Sequence, residues 1–160
     1  MSDAAGTNPG TGLYDGVHLP VLARQMVASA RRSLRPVSVV CFELEGPDGG
    51  APNADALDAA AVIVLRTLRE SDASFRTGDH RITALLEDTG EDGALWAARR
   101  VRSALLVATG GGRSTASAGI ACYPEHALDA EDLVARAEAA LATARRAGPD
   151  AVEVAGASGS

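Results

Sequence analysis

Segments with helical periodicity alternate with short β-rich runs along the whole chain, and this alternation restricts the fold more than any other feature. Apolar residues at helical spacing predict helices at residues 17–34, 55–70, 91–107 and 130–147. β-Branched and apolar runs bounded by turn residues predict strands at residues 37–44, 72–77, 81–86, 114–123 and 151–154. This order predicts an α/β (α+β) fold in which helices flank a mixed β-sheet.

The length and the two ends of the chain indicate one domain. A chain of 160 residues can bury one core, and no shift in composition marks a second domain. Gly- and Ser-rich stretches predict disordered ends at residues 1–12 and 156–160, which leaves residues 13–155 for the domain. Gly78, Asp79 and His80 separate two predicted strands, so we expect a β-hairpin there.

The charged residues restrict the kinds of ligand. The net charge is -6, every basic residue is arginine, and aromatic residues make up only 3% of the chain. These values disfavour a nucleic-acid groove, which needs a basic surface and often several aromatic platforms. A local cluster of arginines is still compatible with one small phosphate-bearing ligand, because guanidinium groups bind phosphate and guanine edges through paired hydrogen bonds.

The apolar segments predict no insertion into a membrane and a cytoplasmic location. No apolar run reaches the roughly 18 residues that a membrane span requires, and no signal peptide is recognisable at the start. Cys41 and Cys122 each lie in an apolar run without a metal-binding partner at suitable spacing, so we interpret both as reduced core residues.

Two strings of residues match the signatures of one known family. Residues 8–16 read N-P-G-T-G-L-Y-D-G, and residues 117–126 read S-A-G-I-A-C-Y-P-E-H. On these strings the chain, from Pro9 to Val154, resembles the GGDEF family, the diguanylate cyclase domains that condense two GTP molecules into cyclic di-GMP. The resemblance implies a nucleotide-cyclase-like mixed sheet flanked by helices and a part in cyclic di-GMP signalling.

The loop that carries the family signature is altered in this chain. Its five positions are filled by Gly78, Asp79, His80, Arg81 and Ile82. The resemblance implies that a carboxylate at the position of Arg81 would help to bind Mg²⁺, which prefers oxygen ligands and is repelled by a cation. Asp79 and His80 as a replacement acid–base or metal pair stay open, against the plainer interpretation that they form a hairpin turn.

Other positions that the resemblance assigns to catalysis are also changed. Glu43 stands at a metal-binding Asp position with Glu45 two residues later, and this single remnant is not a two-metal site. The loop at residues 46–54 is shortened, and Ala54 replaces a guanine-binding Asp. We therefore predict that the protein is not an enzyme and requires no cofactor or metal.

The end of the last predicted helix has lost part of a phosphate site. Arg145 and Pro149 occupy the positions of the family's phosphate-binding Lys and Arg, and proline offers neither a charge nor an N–H group. Residual binding of GTP through Glu43 and Arg145, or of another ligand near Glu43, His80 and Arg81, is left as a further hypothesis.

One ligand-binding motif of the family is retained in letters and in spacing. Arg69-Glu70-Ser71-Asp72 matches the R-x-x-D of a product-inhibition site five residues before the signature, and ungapped counting places a further arginine of that site at Arg100. Arginine can bind guanine O6 and N7, and a carboxylate can accept from the guanine N1–H and amino group. The alternative is structural, with Arg69 as a solvated helix-end cation, Asp72 as a turn residue and Arg100 on an exposed helix face.

Two hypotheses of function follow from these residues. The first is a non-catalytic receptor that binds cyclic di-GMP at Arg69, Asp72 and Arg100 and regulates an unidentified protein partner. A stacked ligand dimer that bridges two copies would make such a receptor a homodimer. The second is a nucleotide-independent interaction or scaffold module that keeps only the fold, because a fold does not by itself imply a function.

Overall fold

The computed structural model describes residues 12–53, 55–109 and 114–156. Of the ends predicted to be disordered, only Gly12 and Gly156 fall within the described residues. Residues 8–11 of the first signature string and Ala54 also lie outside them.

Four α-helices, two short 3-10 helices and six strands build the described part of the chain. Helices α1 to α4 cover Leu19–Ser33, Ala56–Thr67, Glu91–Ala108 and Ala130–Ala147. Strands β1 to β6 cover Tyr14–Asp15, Val37–Glu45, Ala73–Gly78, Arg81–Glu87, Thr115–Tyr123 and Val152–Val154. The predicted fold class is confirmed, because helices flank one mixed sheet.

The sheet is organised around β2. Its strand order is β1-β3-β4-β2-β5-β6, and β2 pairs antiparallel with both β4 and β5. The short strands β1 and β6 extend the two edges in parallel with β3 and β5. The predicted hairpin is present, since β3 and β4 pair antiparallel around the turn at Asp79 and His80.

Both faces of the sheet are covered by helices. Val39 and Cys41 of β2 point into a core formed with α1 and α4. Val40 and Phe42 point to the opposite face, where α2 and α3 complete a second core. Burial on both faces explains why residues 37–44 read as a continuous apolar run rather than an alternating one.

Most predicted bounds differ from the structure by one or two residues, and the larger differences are at one strand and one helix end. Strand β1 was not predicted, because a two-residue strand carries no periodicity, and it forms only through pairing with Phe75 and Arg76. Helix α2 ends at Thr67 instead of residue 70. The backbone N–H of Arg69 donates to the Asp72 carboxylate at 3.0 Å, so this side chain competes with the next helical hydrogen bond.

The two cysteines are buried and free. Burial raises the pKa of the Cys41 thiol to about 12 and that of Cys122 to about 11, so both side chains are neutral core residues near neutral pH. Within the described residues, none of the helices has both the length and the apolar character needed to cross a membrane.

We predict that Gly119→Ala strongly destabilises the fold. A Cβ atom at position 119 of β5 would lie 2.1 Å from the Leu141 backbone nitrogen and 2.3 Å from the Ala137 carbonyl oxygen, so helix α4 would have to move away from the sheet. Such overpacking costs about 1–3 kcal/mol or more. Urea denaturation of both proteins measures the difference.

Gly90→Ala is the matched control, because the nearest atom to its added Cβ lies 3.9 Å away, on Pro36. It should lower the free energy of unfolding by much less than Gly119→Ala. Equal stability of the two variants would show that α4 does not pack on Gly119 as closely as described.

Candidate nucleotide-binding site

Apart from Arg100, which lies on α3, the sequence-predicted binding and signature residues lie at two opposite ends of the β3–β4 hairpin. Gly78 pairs with Arg81 next to the hairpin turn, whereas Ala73 pairs with Leu85 at the other end. We call the first end, with residues 78–82, the hairpin end. We call the second end the turn end, because the turn between α2 and β3, with Arg69 and Asp72, lies there. The two groups of residues therefore cannot contact one small ligand together, and each is described separately.

At the hairpin end, the altered signature forms a turn at Asp79 and His80 between two paired strands, whose register shifts between Arg76 and Gly78. The carbonyl oxygen of His80 accepts from the Leu44 N–H at 2.8 Å, which fixes the turn against β2. The Asp79 side chain is 95% exposed and lies 3.8 Å from the Arg76 guanidinium. Ile82 is buried in the core. Asp79 and His80 thus have the contacts of turn residues.

Arg81 forms an ion pair with Glu43. The two residues are register partners on β4 and β2, and Arg81 Nε donates to Glu43 Oε1 at 2.9 Å. Both side chains are partly buried, which makes the pair less screened by solvent than a surface pair. The Arg81 guanidinium therefore lies against Glu43, the residue that the resemblance places at a metal-binding position.

Glu45 is engaged by neighbouring groups on several elements. Its Oε1 accepts from Thr115 Oγ1 at 3.0 Å and from the Asp150 N–H at 2.9 Å. Its Oε2 accepts from Ser117 Oγ at 3.0 Å and lies 3.6 Å from Arg145 Nε. Glu45 is 2% exposed, so this arrangement is a structural anchor for the end of the sheet rather than an open ligand site.

These carboxylates do not fit a bound Mg²⁺ ion. Such an ion prefers near-octahedral oxygen coordination with one or two available carboxylates. Glu43 is paired with a guanidinium, and the Glu45 oxygens accept from protein donors. Among the described ranges 12–53, 55–109 and 114–156, no group of three or more His, Cys, Asp or Glu side chains is placed to hold a metal ion.

At the turn end, Asp72 joins the α2–β3 turn to the end of β4. Its Oδ2 accepts from the Arg69 N–H at 3.0 Å, and its Oδ1 accepts from the Glu87 N–H at 3.0 Å. The side chain is 4% exposed. Asp72 therefore fixes the backbone that carries Arg69, which is the structural role considered for it in the sequence.

The Arg69 side chain lies across the same turn and is 58% exposed. Its Nη2 donates to Thr89 Oγ1 at 2.8 Å and to the Glu87 carbonyl oxygen. These two acceptors are neutral, and Arg69 also forms an ion pair with Asp72, whose Oδ2 lies 3.6 Å from Nε. An incoming acceptor can replace such partners at low cost, because the guanidinium is already in contact with solvent.

Arg69 borders a groove of about 330 Å³ between α1 and the end of β4. Arg35 lies on the same groove, where its guanidinium pairs with Asp88 at 2.7 Å. The acidic residues Glu87 and Asp88 and the hydroxyl groups of Ser29, Ser33 and Ser71 complete the polar lining. Two exposed guanidinium groups and several hydroxyls are suited to bind phosphate and the edge of a purine. We call this the α1 groove.

Arg100 lies in a different groove. It borders an open groove of about 1120 Å³ between α2 and α3, which also contains Arg66 and Trp96. Within the described part of the chain, no hydrogen bond or ion pair joins Arg100 to Arg69 or Asp72. Its guanidinium lies over the Trp96 ring instead, 5.7 Å from the centroid. We call this the α2–α3 groove.

Sequence reasoning missed the neighbours of these arginines. The Glu87 N–H donates to Asp72, and the Thr89 hydroxyl accepts from Arg69. Both groups lie 15 to 20 residues along the chain from the motif, so the motif itself gives no sign of them. Trp96 could have been found, because it precedes Arg100 by four residues and therefore lies on the same helix face.

Comparison with known proteins identifies a family and several similar folds. The family model described as "Diguanylate cyclase, GGDEF domain" matches residues 50–151. No curated protein sequence matched.

Among solved structures, the GGDEF domain of YfiN (TpbB) from Pseudomonas aeruginosa is 20% identical with a TM-score of 0.79, covering 91% of this chain and 98% of that one. The GGDEF domain of DgcB from Caulobacter crescentus, solved in complex with c-di-GMP, is 14% identical with a TM-score of 0.80, covering 94% and 93%. Diguanylate cyclase SiaD from P. aeruginosa, solved with its activator SiaC, is 25% identical with a TM-score of 0.79, covering 96% and 63%.

We predict that Asp72→Ala destabilises the protein even without nucleotide. The change leaves the backbone N–H groups of Arg69 and Glu87 without their acceptor, and loss of such partners costs about 1–3 kcal/mol. Thermal unfolding of the wild type and the variant measures the effect.

Asp79→Ala is the control, because that carboxylate is almost fully exposed and should contribute little. If Asp72→Ala unfolds at the same temperature as the wild type, Asp72 does not anchor the turn, and its role would have to lie elsewhere.

Proposed function

Because this chain belongs to the diguanylate cyclase GGDEF domain family, we propose that it is a cyclic di-GMP receptor that does not synthesise the nucleotide. In this proposal the protein acts in the cytoplasm, binds the nucleotide near Arg69 and regulates a protein partner. The observation that carries the proposal is the contrast between the two ends of the hairpin. At one end the partly buried Arg81 is hydrogen-bonded to Glu43 at 2.9 Å, whereas at the other the Arg69 side chain is 58% exposed, donates hydrogen bonds to neutral acceptors and lies 3.6 Å from the Asp72 carboxylate.

The loss of catalysis is argued from the hairpin end. Condensation of two GTP molecules requires bound phosphates, neutralisation of their charge and an activated hydroxyl at the same time. Glu43 is held by Arg81, and Arg145 lies beside Glu45. The losses compound, because each removes a different requirement of the reaction, and this supports a protein without cyclase activity.

Nucleotide binding is argued from the turn end. The guanidinium of Arg69 can rotate from the Glu87 carbonyl and the Thr89 hydroxyl to guanine O6 and N7, which exchanges neutral acceptors for neutral acceptors. Asp72 holds Arg69 in place by accepting a hydrogen bond from its backbone N–H group. The DgcB domain, which has the same fold, was solved with c-di-GMP, and this supports the choice of ligand.

Regulation of a partner requires a ligand-dependent difference in affinity. A nucleotide that binds one conformation or assembly of the receptor more tightly shifts the population towards it. Arg100 lies in the α2–α3 groove, so a ligand that contacts both arginines would span two grooves or bridge two copies. That SiaD was solved with an activator protein supports a protein as the kind of partner.

A nucleotide-independent scaffold module is the second candidate. The observation that favours it is the structural use of Asp72, both of whose oxygens accept from backbone N–H groups. A retained R-x-x-D string can therefore be explained by the stability of the turn alone. Loss of partner capture on removal of nucleotide would exclude this candidate.

We predict that the protein binds cyclic di-GMP with micromolar or tighter affinity and that Arg69→Ala weakens the binding at least about 10-fold, the effect of removing charge-assisted hydrogen bonds. Isothermal titration calorimetry measures both affinities. Arg32→Ala is the matched control, because Arg32 is an exposed arginine in the last turn of α1 that does not line the α1 groove.

The same preparation is incubated with GTP and Mg²⁺, and the nucleotides are separated by chromatography. We expect unchanged GTP. Formation of cyclic di-GMP would contradict the non-catalytic half of the proposal, and equal affinity of wild type and Arg69→Ala would contradict the assigned binding residue.

A further inference from the structure

The α2–α3 groove presents apolar surface to solvent. Its apolar lining comes from both helices, with Ile63 on α2 and Leu95, Trp96 and Val107 on α3. Trp96 is 60% exposed and Val107 is 83% exposed. Because these side chains line one groove instead of lying apart, the surface has the character of an interaction site.

Three exposed arginines lie among the apolar residues. They are Arg66, Arg99 and Arg100, with Asp92 as the acidic residue of the lining. Within the described ranges, no ion pair joins any of the three to a carboxylate. The protein as a whole carries a net charge of -6, so this excess of positive charge is local. Guanidinium groups without an ion-pair partner favour a binding partner that carries negative charge at the contact.

The residue types in the groove are those that contribute most to the affinity of protein–protein contacts. Tryptophan and arginine are enriched among the interface residues whose truncation weakens binding most. Trp96 is the single tryptophan of the chain, and Arg100 lies over its ring, 5.7 Å from the centroid. Burial of an indole is strongly favourable, so a partner that covers Trp96 gains affinity from it.

The groove has the length of a helix. Its lining on α3 runs from Asp92 to Ala108, which corresponds to about 24 Å at a rise of about 1.5 Å per residue. Helix α2 supplies the other side, with Ile63, Arg66 and Thr67. An amphipathic helix can lay its apolar face into such a groove between two helices and keep its polar residues at the edges.

Other occupants fit the groove less well. A second copy bound through the same groove on a two-fold axis would bring arginines of like charge together. Anionic lipids would repel a protein with a net charge of -6, and an interfacial membrane contact is made by an exposed helix face rather than by a groove. Residues 1–11 contain one acidic residue and no apolar run that could fill the groove.

We infer that the α2–α3 groove is the docking surface for the protein partner, and that the docked segment is an amphipathic helix with an apolar face and acidic edges. This inference rests on the regulation of a partner in the proposed function, and it assigns the surface and the chemistry of that partner. Trp96 contacts the apolar face of the docked helix. Arg66 on α2 and Arg99 on α3 pair with carboxylates along its two edges.

Titration with a synthetic peptide, in the absence of nucleotide, tests the inference. The probe is an amphipathic helix of about 16 residues, the length of the groove, with leucine on one face, glutamate elsewhere and no aromatic residue. A matched peptide has lysine in place of every glutamate. Because the protein has one tryptophan, any change in tryptophan emission comes from Trp96. We expect the glutamate peptide to bind with micromolar affinity and to shift the emission to shorter wavelength, and the lysine peptide to bind at least about 10-fold more weakly.

Two variants locate the contact. Arg99→Glu keeps the fluorescent reporter and reverses one charge of the groove, so it should weaken binding of the glutamate peptide about 10-fold or more. Arg32→Glu is the matched control, because Arg32 is an exposed arginine in the last turn of α1, and it should bind the peptide as the wild type does. Trp96→Ala should weaken the calorimetric affinity about 30-fold or more, the effect of removing a central interface residue.

Equal affinity for the glutamate and lysine peptides, or unchanged affinity in both Arg99→Glu and Trp96→Ala, would overturn the inference. Binding to phosphatidylserine vesicles in place of the peptide would also overturn it. So would a dimer of the protein alone, seen by sedimentation, that Trp96→Ala abolishes.

A separate calorimetric titration with cyclic di-GMP distinguishes this inference from the proposed function. Nucleotide binding without peptide binding would overturn the docking surface and leave the nucleotide receptor intact. Peptide binding without nucleotide binding would contradict the receptor and support the docking surface.

Discussion

The buried carboxylate of Glu45 determines how the end of the sheet is assembled. It ties β2 to β5 through Thr115 and Ser117, to α4 through Arg145, and to the start of the last strand through the Asp150 N–H group. A buried carboxylate without such partners would be strongly unfavourable, so these elements must close around it together. Glu43, two residues before Glu45 in β2, pairs with Arg81 instead.

This closure gives the two ends of the hairpin different chemical properties. At the hairpin end, ion pairs and hydrogen bonds within the protein neutralise the carboxylates of β2. At the turn end, the buried carboxylate of Asp72 accepts from two backbone N–H groups and lies 3.6 Å from the Arg69 guanidinium, which remains on the surface. Anion binding is therefore favoured most in the α2–α3 groove, where three arginines accompany one acidic residue, whereas in the α1 groove Glu87 and Asp88 balance Arg35 and Arg69.

Much of the fold could be predicted from local patterns. Helix α4 was predicted with its observed bounds, and the hairpin followed from Gly78, Asp79 and His80 between two β-rich runs. Strand β1 could not be predicted, because its two residues become a strand only on pairing with Phe75 and Arg76. The family membership inferred from the signature strings is also confirmed.

The candidate site was less accessible to sequence reasoning. Register against the signature located Arg69, Asp72 and Arg100, but spacing cannot show that Arg69 and Arg100 line two different grooves. The partners of Glu45 are up to 105 residues away in the chain, so no local motif could reveal them. From the sequence, Asp72 could be interpreted as a ligand-binding residue or as a turn residue. Its hydrogen bonds with two backbone N–H groups, which only the structure shows, give it a role in the turn.

The most direct test of this account is a crystal structure of the protein with cyclic di-GMP. We predict nucleotide at Arg69 and along the turn end, with the Arg81–Glu43 ion pair intact. Nucleotide bound at the hairpin end, with Arg81 displaced from Glu43, would contradict the account.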